Sequence, residues 1–427
     1  MKWLVVLLAL ALALGACSGG GDSGEAPRET DDDTGLPPPG DDDADDDIDD
    51  DVDDDVDDDV DDDIDDDIDD DTDDDVDDDI DDDVDDDSVD DDSSPIPPEM
   101  IVDDNVEGYT DLALDALGGP HIVYDGKSDG LRYAYWDGGE WVVELVENDS
   151  YVGMYPALVL DEDDQPLVAY HDGDNKTLKF ARRTAKGWDI AVVDDSAEVG
   201  QWCAIAQNAG GEIFISYQDM QNGDLKVARY VTSWETEVVE DGTEDGLFTS
   251  IAFDGATAYI SYYDATARSL KVARGAFGAW TIDTVDEAVS AEDDLGRWTS
   301  LAVDAAHRVH VAYQNAATLD LKYARYATGA WTAETVDAVG NKGADACLMV
   351  DAYNLPHIVY QDGSNLSLVY AWIDTFGDWQ FDTLMDGTQY EGSFGYWLGC
   401  ALRMSGPVVS HFYPADDLLL IYPAFTI

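Results

Sequence analysis

From residue 107 onward the hydrophobic and polar positions recur about every 48 residues, and within each period they alternate as half-buried strands do. TDLALD, PALVLD, TSIAFD, TSLAVD and CLMVD align as a first strand, and PHIVYD, LVAYHD, FISYQD, YISYYD, VHVAYQN and PHIVYQD as a second. LRYAY, LKFARR, LKVAR, LKYAR and LVYAW make a third, and a fourth opens at the tryptophan of GEWVVE, KGWDIA, SWETEV, GAWTID, GAWTAE and GDWQFD. Four short strands per unit, with Gly or Asp at the turns, predict a propeller blade.

Six units are complete to about Glu391, whereas a seventh (SFGYWLGCALRM, PVVSHFYP, LLLIYPAF) stops without its fourth strand. The segment EMIVDD, Glu99 to Asp104, resembles the fourth-strand endings VVELVEND and TAETVDA. Pairing it with the seventh unit predicts a closed all-β ring of seven four-stranded blades over residues 99–427, with no free edge between first and last. An open solenoid would need capping repeats, and neither end resembles one.

Charge divides the chain. Residues 31–92 hold 42 of the 99 acidic residues and no Lys or Arg, while 93–427 hold 54 acids against 18 bases. The second part is acidic as well, which argues against nucleic acid, because phosphate binding needs clustered Lys and Arg. Acid-rich surfaces also occur where salt is high, so the charge by itself assigns no role. The DDDV and DDDI repeats cannot fold as helix, since three adjacent carboxylates per turn repel within a Debye length of about 8 Å. With GGGDSG, GLPPPG and SSPIPP around it, the run reads as a disordered tether over residues 17–98. About sixty such residues at roughly 3.3 Å each reach on the order of 200 Å. A calcium-loaded array is the sharper alternative, because clustered carboxylates suit Ca²⁺, but the defined loop geometry is missing.

The N-terminus, MKWLVVLLALALALGAC, carries one Lys and an apolar run too short to span a membrane, as a signal peptide does over residues 1–16. Leu14-Gly15-Ala16-Cys17 resembles the lipobox of bacterial lipoproteins. That resemblance implies lipidation of Cys17 and attachment to a membrane of the cell envelope; Ser18 after the cysteine favours the outer membrane. An ordinary signal peptide with a chance cysteine is the alternative.

Two columns of the repeat should converge on the face that holds the fourth-to-first and second-to-third connections. One is a Gly-x-aromatic pattern: Tyr155, Trp202, Phe248, Trp298 and Trp397, with Tyr109 close to it and Asp345 as the exception. The other is the acid ending the second strand: Asp125, Asp172, Asp219, Asp264 and Asp362, broken by Asn315 and Pro414. Aromatic platforms beside carboxylates suit sugars, whose C–H faces stack on rings while hydroxyls donate to carboxylates. A structural role competes, in which each Asp pairs with the Lys or Arg of the third strand. His121, His310 and His357 occupy one column and read as scaffold. Departures from the repeat are better functional candidates: Arg403, His411 and Tyr413 in the seventh unit, and Tyr390 and Glu391 before it. The acidic fourth-to-first loops could hold Ca²⁺ or attract a cationic protein, without spacing that assigns ligands. Cys347 and Cys400 fall in the first strands of neighbouring blades and could form a disulfide in an oxidising envelope; buried thiols are the alternative.

The unit resembles the sialidase-like propellers, with Trp136-Asp137-Gly138-Gly139-Glu140-Trp141 nearest to their Asp-box. That resemblance implies a turn facing away from the ligand side. It also raises a glycoside-acting enzyme as a rival function, for which Arg297, Arg403, Tyr390 and Glu391 are the candidates. Such enzymes gather three arginines, and the arginines here mostly repeat in third strands as Arg182, Arg229, Arg274 and Arg325. The leading expectation is a monomeric, surface-anchored, non-enzymatic module that binds a glycan or protein through one ring face. A passive cation-binding spacer is the third possibility.

Overall fold

Each repeat forms a four-stranded antiparallel sheet whose strands run in chain order from the axis to the rim. The computed structural model describes residues 98–423, apart from 150, 197, 243, 291 and 389–392. The signal segment, Cys17 and the aspartate run lie outside the described residues. Blade 1 comprises Thr110–Leu114, Pro120–Asp125, Leu131–Trp136 and Trp141–Glu147. The inner strands of blades 2 to 7 are Val152–Leu160, Val199–Gln207, Leu247–Asp254, Leu295–Val303, Lys342–Val350 and Tyr396–Arg403. The seventh sheet is completed from the other end of the domain: Ile101–Asp103 pairs antiparallel with Leu418–Tyr422, placing Ile101 opposite Leu420 and Asp103 opposite Leu419. This closing strand covers the middle of the EMIVDD segment, because Pro98–Met100 is a 3₁₀ turn. The chain is thus an all-β, seven-bladed propeller without a sheet edge at its seam.

Seven apolar clusters hold the ring, one at each junction between blades. At the junction of blades 2 and 3, Leu167, Leu178 and Phe180 pack against Ile205, Ile213 and Ile215. Close approach explains the repeated glycine. A Cβ on Gly200 would lie 2.8 Å from Leu178 Cα in the preceding blade, and one on Gly343 would lie 2.8 Å from Leu321 Cα. At the rim, the tryptophan opening an outer strand donates its indole N–H to an acid on the preceding blade. Trp280 reaches Glu237 at 2.7 Å, Trp379 reaches Glu334 at 3.0 Å and Trp188 reaches Glu144 at 3.2 Å. The acid sits three residues after the preceding blade's own tryptophan, so W-x-x-E links one blade to the next.

A second, buried network lies where the second and outer strands end. In blade 3, Lys226 Nζ lies 2.6 Å from Asp194, the last residue of blade 2, and 3.8 Å from Asp219 of its own blade. The Tyr217 hydroxyl donates to the same Asp194 at 2.6 Å. Lys179 with Glu147, Asp172 and Tyr170 repeats the arrangement, as does Lys271 with Glu240, Asp264 and Tyr262. Blade 6 carries Val369 where the lysine should be, and Lys342 from the start of its inner strand takes over, bonded to Asp362 and 3.8 Å from Asp337. The junction of blades 6 and 7 abandons the network: Met385, His411 and Leu420 replace acid, tyrosine and lysine together. Cys347 and Cys400 form a disulfide across that same junction.

Removing the ammonium from such a site leaves two carboxylates buried without a counter-charge. Lys226→Met is therefore expected to destabilise the fold by about 3–5 kcal/mol in urea unfolding. A loss below about 1 kcal/mol would mean that the aliphatic stem, not the charge, holds the junction.

Candidate functional site

The fourth-to-first loops and the second-to-third hairpins share one face, here called the mouth face. Backbone bonds knit them together: Gly173 N–H donates to Tyr151 C=O at 2.8 Å, and Ala316 N–H to Asp294 C=O at 2.8 Å. Inner strands start at this face with a glycine at positive φ, a variable residue and then an aromatic. The register slips at that point, for example between Met154 and Ala157 and between Gln201 and Ala204, as in a β-bulge. Tyr155, Trp202, Phe248, Trp298, Asp345 and Trp397 all adopt left-handed backbone, with φ of 49–55°. For bulky residues this conformation costs on the order of 1 kcal/mol or more each. This backbone turns five rings toward the axis, and Tyr109 of blade 1 joins them without it.

The result is a closed circle of six rings. Centroids are separated by 4.4 Å for Tyr109–Tyr155, 4.6 Å for Tyr155–Trp202, 4.2 Å for Trp202–Phe248, 4.6 Å for Phe248–Trp298, 5.6 Å for Trp298–Trp397 and 4.0 Å for Trp397–Tyr109. They line a well of about 170 Å³ on the propeller axis. The residue after each aromatic often serves the strained turn: Thr249 donates to the Trp202 carbonyl at 2.6 Å, Thr110 to that of Trp397 at 3.1 Å, and the Cys203 thiol to that of Tyr155 at 3.0 Å. Burial raises the Cys203 thiol pKa, so this cysteine stays a protonated donor.

Asp345 replaces the aromatic in blade 6 and is the acid among the residues lining the well. Desolvation pushes its carboxyl up to about 7, although the backbone N–H of Trp397 donates to it and opposes the shift.

The second column behaves differently. Asp172, Asp219, Asp264 and Asp362 are buried and belong to the lysine network beneath the face. Asp172, Asp219 and Asp362 each also hold an asparagine in the following hairpin, Asn175, Asn222 and Asn365. The structure thus brings the aromatics together at the axis and sets these acids inside the wall. Asp125 does not belong to their column: blade 1 is shifted by one residue, so Tyr124 aligns with Tyr217 and Asp125 with Gln218. Blade 7 is offset too, and Tyr413, not Pro414, occupies the acid position. His411 is fully buried beside Phe394, and desolvation pushes it down to about 4.

Arg297 and Arg403 lie at opposite ends of their inner strands. Arg297 pairs with Asp294 at 3.0 Å on the mouth face, whereas Arg403 donates to the Gly118 carbonyl in a turn on the other face. Tyr390 and Glu391 lie outside the described residues. His310 bonds Tyr323 at 2.6 Å and Asp304 at 3.0 Å near that far face, and His121 and His357 repeat the contact with Tyr133 and Tyr370. The Asp137 carboxylate accepts the Gly139 and Glu140 N–H groups at 2.9 Å each and so shapes its own hairpin. Among the described residues no group of three or more His, Cys, Asp or Glu is arranged to hold a metal ion.

No protein-family model matches the sequence, and no curated protein matches it. Solved structures superpose on it to differing extents. An ulvan lyase, described as a new polysaccharide lyase family, superposes with a TM-score of 0.55 at 12% identity, over 76% of this chain and 94% of that one. The Aleuria aurantia lectin in complex with Fucα1-6GlcNAc gives 0.46 at 14% identity, over 66% and 96%. The α-L-arabinofuranosidase of Fusarium graminearum in complex with arabinobiose gives 0.44 at 10% identity, over 63% and 92%. The ulvan lyase likeness is one of fold: this chain is a seven-bladed β-propeller with an aromatic well on its axis.

A raised carboxyl pKa makes stability depend on pH with a definite sign. Between about 3.8 and about 7 the folded state holds the Asp345 proton more firmly than the unfolded chain does, so this group lowers stability as pH rises through that window. Asp345→Asn keeps an acceptor for the Trp397 N–H and removes the ionisation. In urea unfolding, its advantage over the parent should widen from pH 4 to pH 7 and stay constant above. A gap independent of pH would show that Asp345 titrates as an ordinary exposed acid.

Proposed function

We propose that this chain is a surface-anchored recognition module whose propeller takes a glycan into the axial well. The observation that carries the reading is the circle of six rings, held toward the axis by backbone strain in five blades. A pyranose offers an apolar C–H face that stacks on such rings, while its hydroxyls need a few polar groups to fix orientation. Asp345 supplies one and breaks the rotational symmetry of the well, so a ligand finds one preferred orientation. At about 170 Å³ the well suits a single sugar residue. It is concave, unlike the broad patches that proteins usually present to one another.

In this reading Cys17 carries the lipid that holds the chain at the outer membrane, and the acidic segment up to residue 98 spaces the propeller from it. The strongly acidic domain, net −36 over residues 93–427, would repel anionic glycans and favour neutral ones. The glycoside-acting alternative is weaker, because Arg297 and Arg403 sit on opposite faces and cannot grip one substrate.

Calorimetric titration of the full-length protein against a glycan panel tests the reading. Trp298→Ala and Trp397→Ala should each weaken binding about tenfold or more, equivalent to about 1.4 kcal/mol, with thermal midpoints recorded to confirm folding. Unchanged affinity in both folded variants would remove the well from the site.

A further inference from the structure

We infer that the groove between blades 2 and 3 is a second subsite of the mouth face, taking the next residue of a neutral oligosaccharide whose first residue lies in the axial well. This rests on the glycan reading above and extends it from one sugar to a chain. The groove encloses about 360 Å³. Its walls come from the two connections that meet on this face: Tyr151 and Glu198 from fourth-to-first loops, and Lys176 and Met220 from second-to-third hairpins. Met154 and Gln201, the variable residues of the Gly-x-aromatic pattern, join it to the rosette residues Tyr155 and Trp202.

Its chemistry matches a sugar and lacks net charge. Tyr151 and Met220 are 64% and 48% exposed and give the groove an apolar rim. Lys176 and Glu198 bond to one another across the groove and neutralise each other. His171 is the decisive departure from the repeat. In blades 3, 5 and 6 this column is glutamine, whose amide donates to a carbonyl at the start of the next blade: Gln218 to Asp245, Gln314 to Lys342 and Gln361 to Phe394. His171 makes the same latch to the Val199 carbonyl through Nδ1, at 3.0 Å. Because a carbonyl only accepts, the proton must sit on Nδ1, which leaves Nε2 with a bare lone pair. Burial lowers the imidazole pKa, so the ring is neutral at neutral pH, and it forms part of the groove wall. Its centroid lies 6.4 Å from that of Tyr155, so the walls of groove and well touch. A sugar hydroxyl that donates to Nε2 while its ring rests on Tyr151 occupies this space.

The test compares chain lengths on the full-length protein, using methyl glycosides of glucose, galactose, xylose, mannose and fucose and their linear di- and trisaccharides. In the parent, a preferred trisaccharide should bind at least tenfold more tightly than its methyl glycoside. Tyr151→Ala, which removes an exposed ring and leaves the fold alone, should reduce that gain to twofold or less without changing affinity for the single sugar. His171→Ala should do the same, with its thermal midpoint recorded. If single sugars bind but longer chains gain nothing, or if the gain survives both substitutions, the groove is not a subsite and the well stands alone. If no sugar of any length binds, both the subsite and the glycan reading fall.

Discussion

A ring of seven blades closes only if every junction has nearly the same wedge angle, and four of the junctions here are drawn together by a buried ammonium shared between acids of adjoining blades. Lys179, Lys226, Lys271 and Lys342 each draw together the end of one outer strand and the end of the next second strand. Arg132 with Asp103 extends the device across the seam, and Lys322 with Asp286 does so between blades 4 and 5. A domain with only 18 bases therefore commits a third of them to junctions. Where the device is missing, between blades 6 and 7, acid, tyrosine and lysine are lost together and a disulfide and an apolar cluster stand in their place. Burying one member without the others would cost more than removing all of them.

The same closure creates the well. Bringing each inner strand against the third strand of the preceding blade, as where Gly200 meets Leu178, leaves little room for side chains on the axis. The bulge after each glycine resolves this by lifting an aromatic toward the mouth face. Threonine or cysteine hydrogen bonds to several of the displaced carbonyls hold it there. Backbone strain at five rings is thus offset by packing among the rings themselves, each within 4.0–5.6 Å of its neighbours. The mouth of the well is an outcome of closing the ring, and what distinguishes it chemically is where the repeat is broken.

Asp345 in place of a ring gives the well its carboxyl, and His171 in place of glutamine gives the adjoining groove a lone pair without loosening the blade contact. By contrast, His411 substitutes within the core and is enclosed there, so its chemistry is unavailable to any ligand.

Much of this architecture was legible from periodicity. Four alternating strands per unit, a missing fourth strand at one end and a matching strand at the other specify a closed ring, because strand pattern and edge pairing are local properties. The glycine and aromatic columns were equally visible, as were two cysteines in neighbouring blades. What the sequence could not decide was which way each repeated side chain faces. Asp172 and Trp202 both recur as exposed-looking polar and aromatic columns, yet packing encloses the acid with a lysine while a bulge presents the ring to the axis. One-residue offsets in blades 1 and 7 moved Asp125 and Tyr413 into other columns, since a slip of one reverses the direction of a strand side chain. The takeover by Lys342 from the lysine missing at Val369, the separation of Arg297 from Arg403 and the groove around His171 arise between segments far apart in the chain. Only the tertiary structure sets those distances.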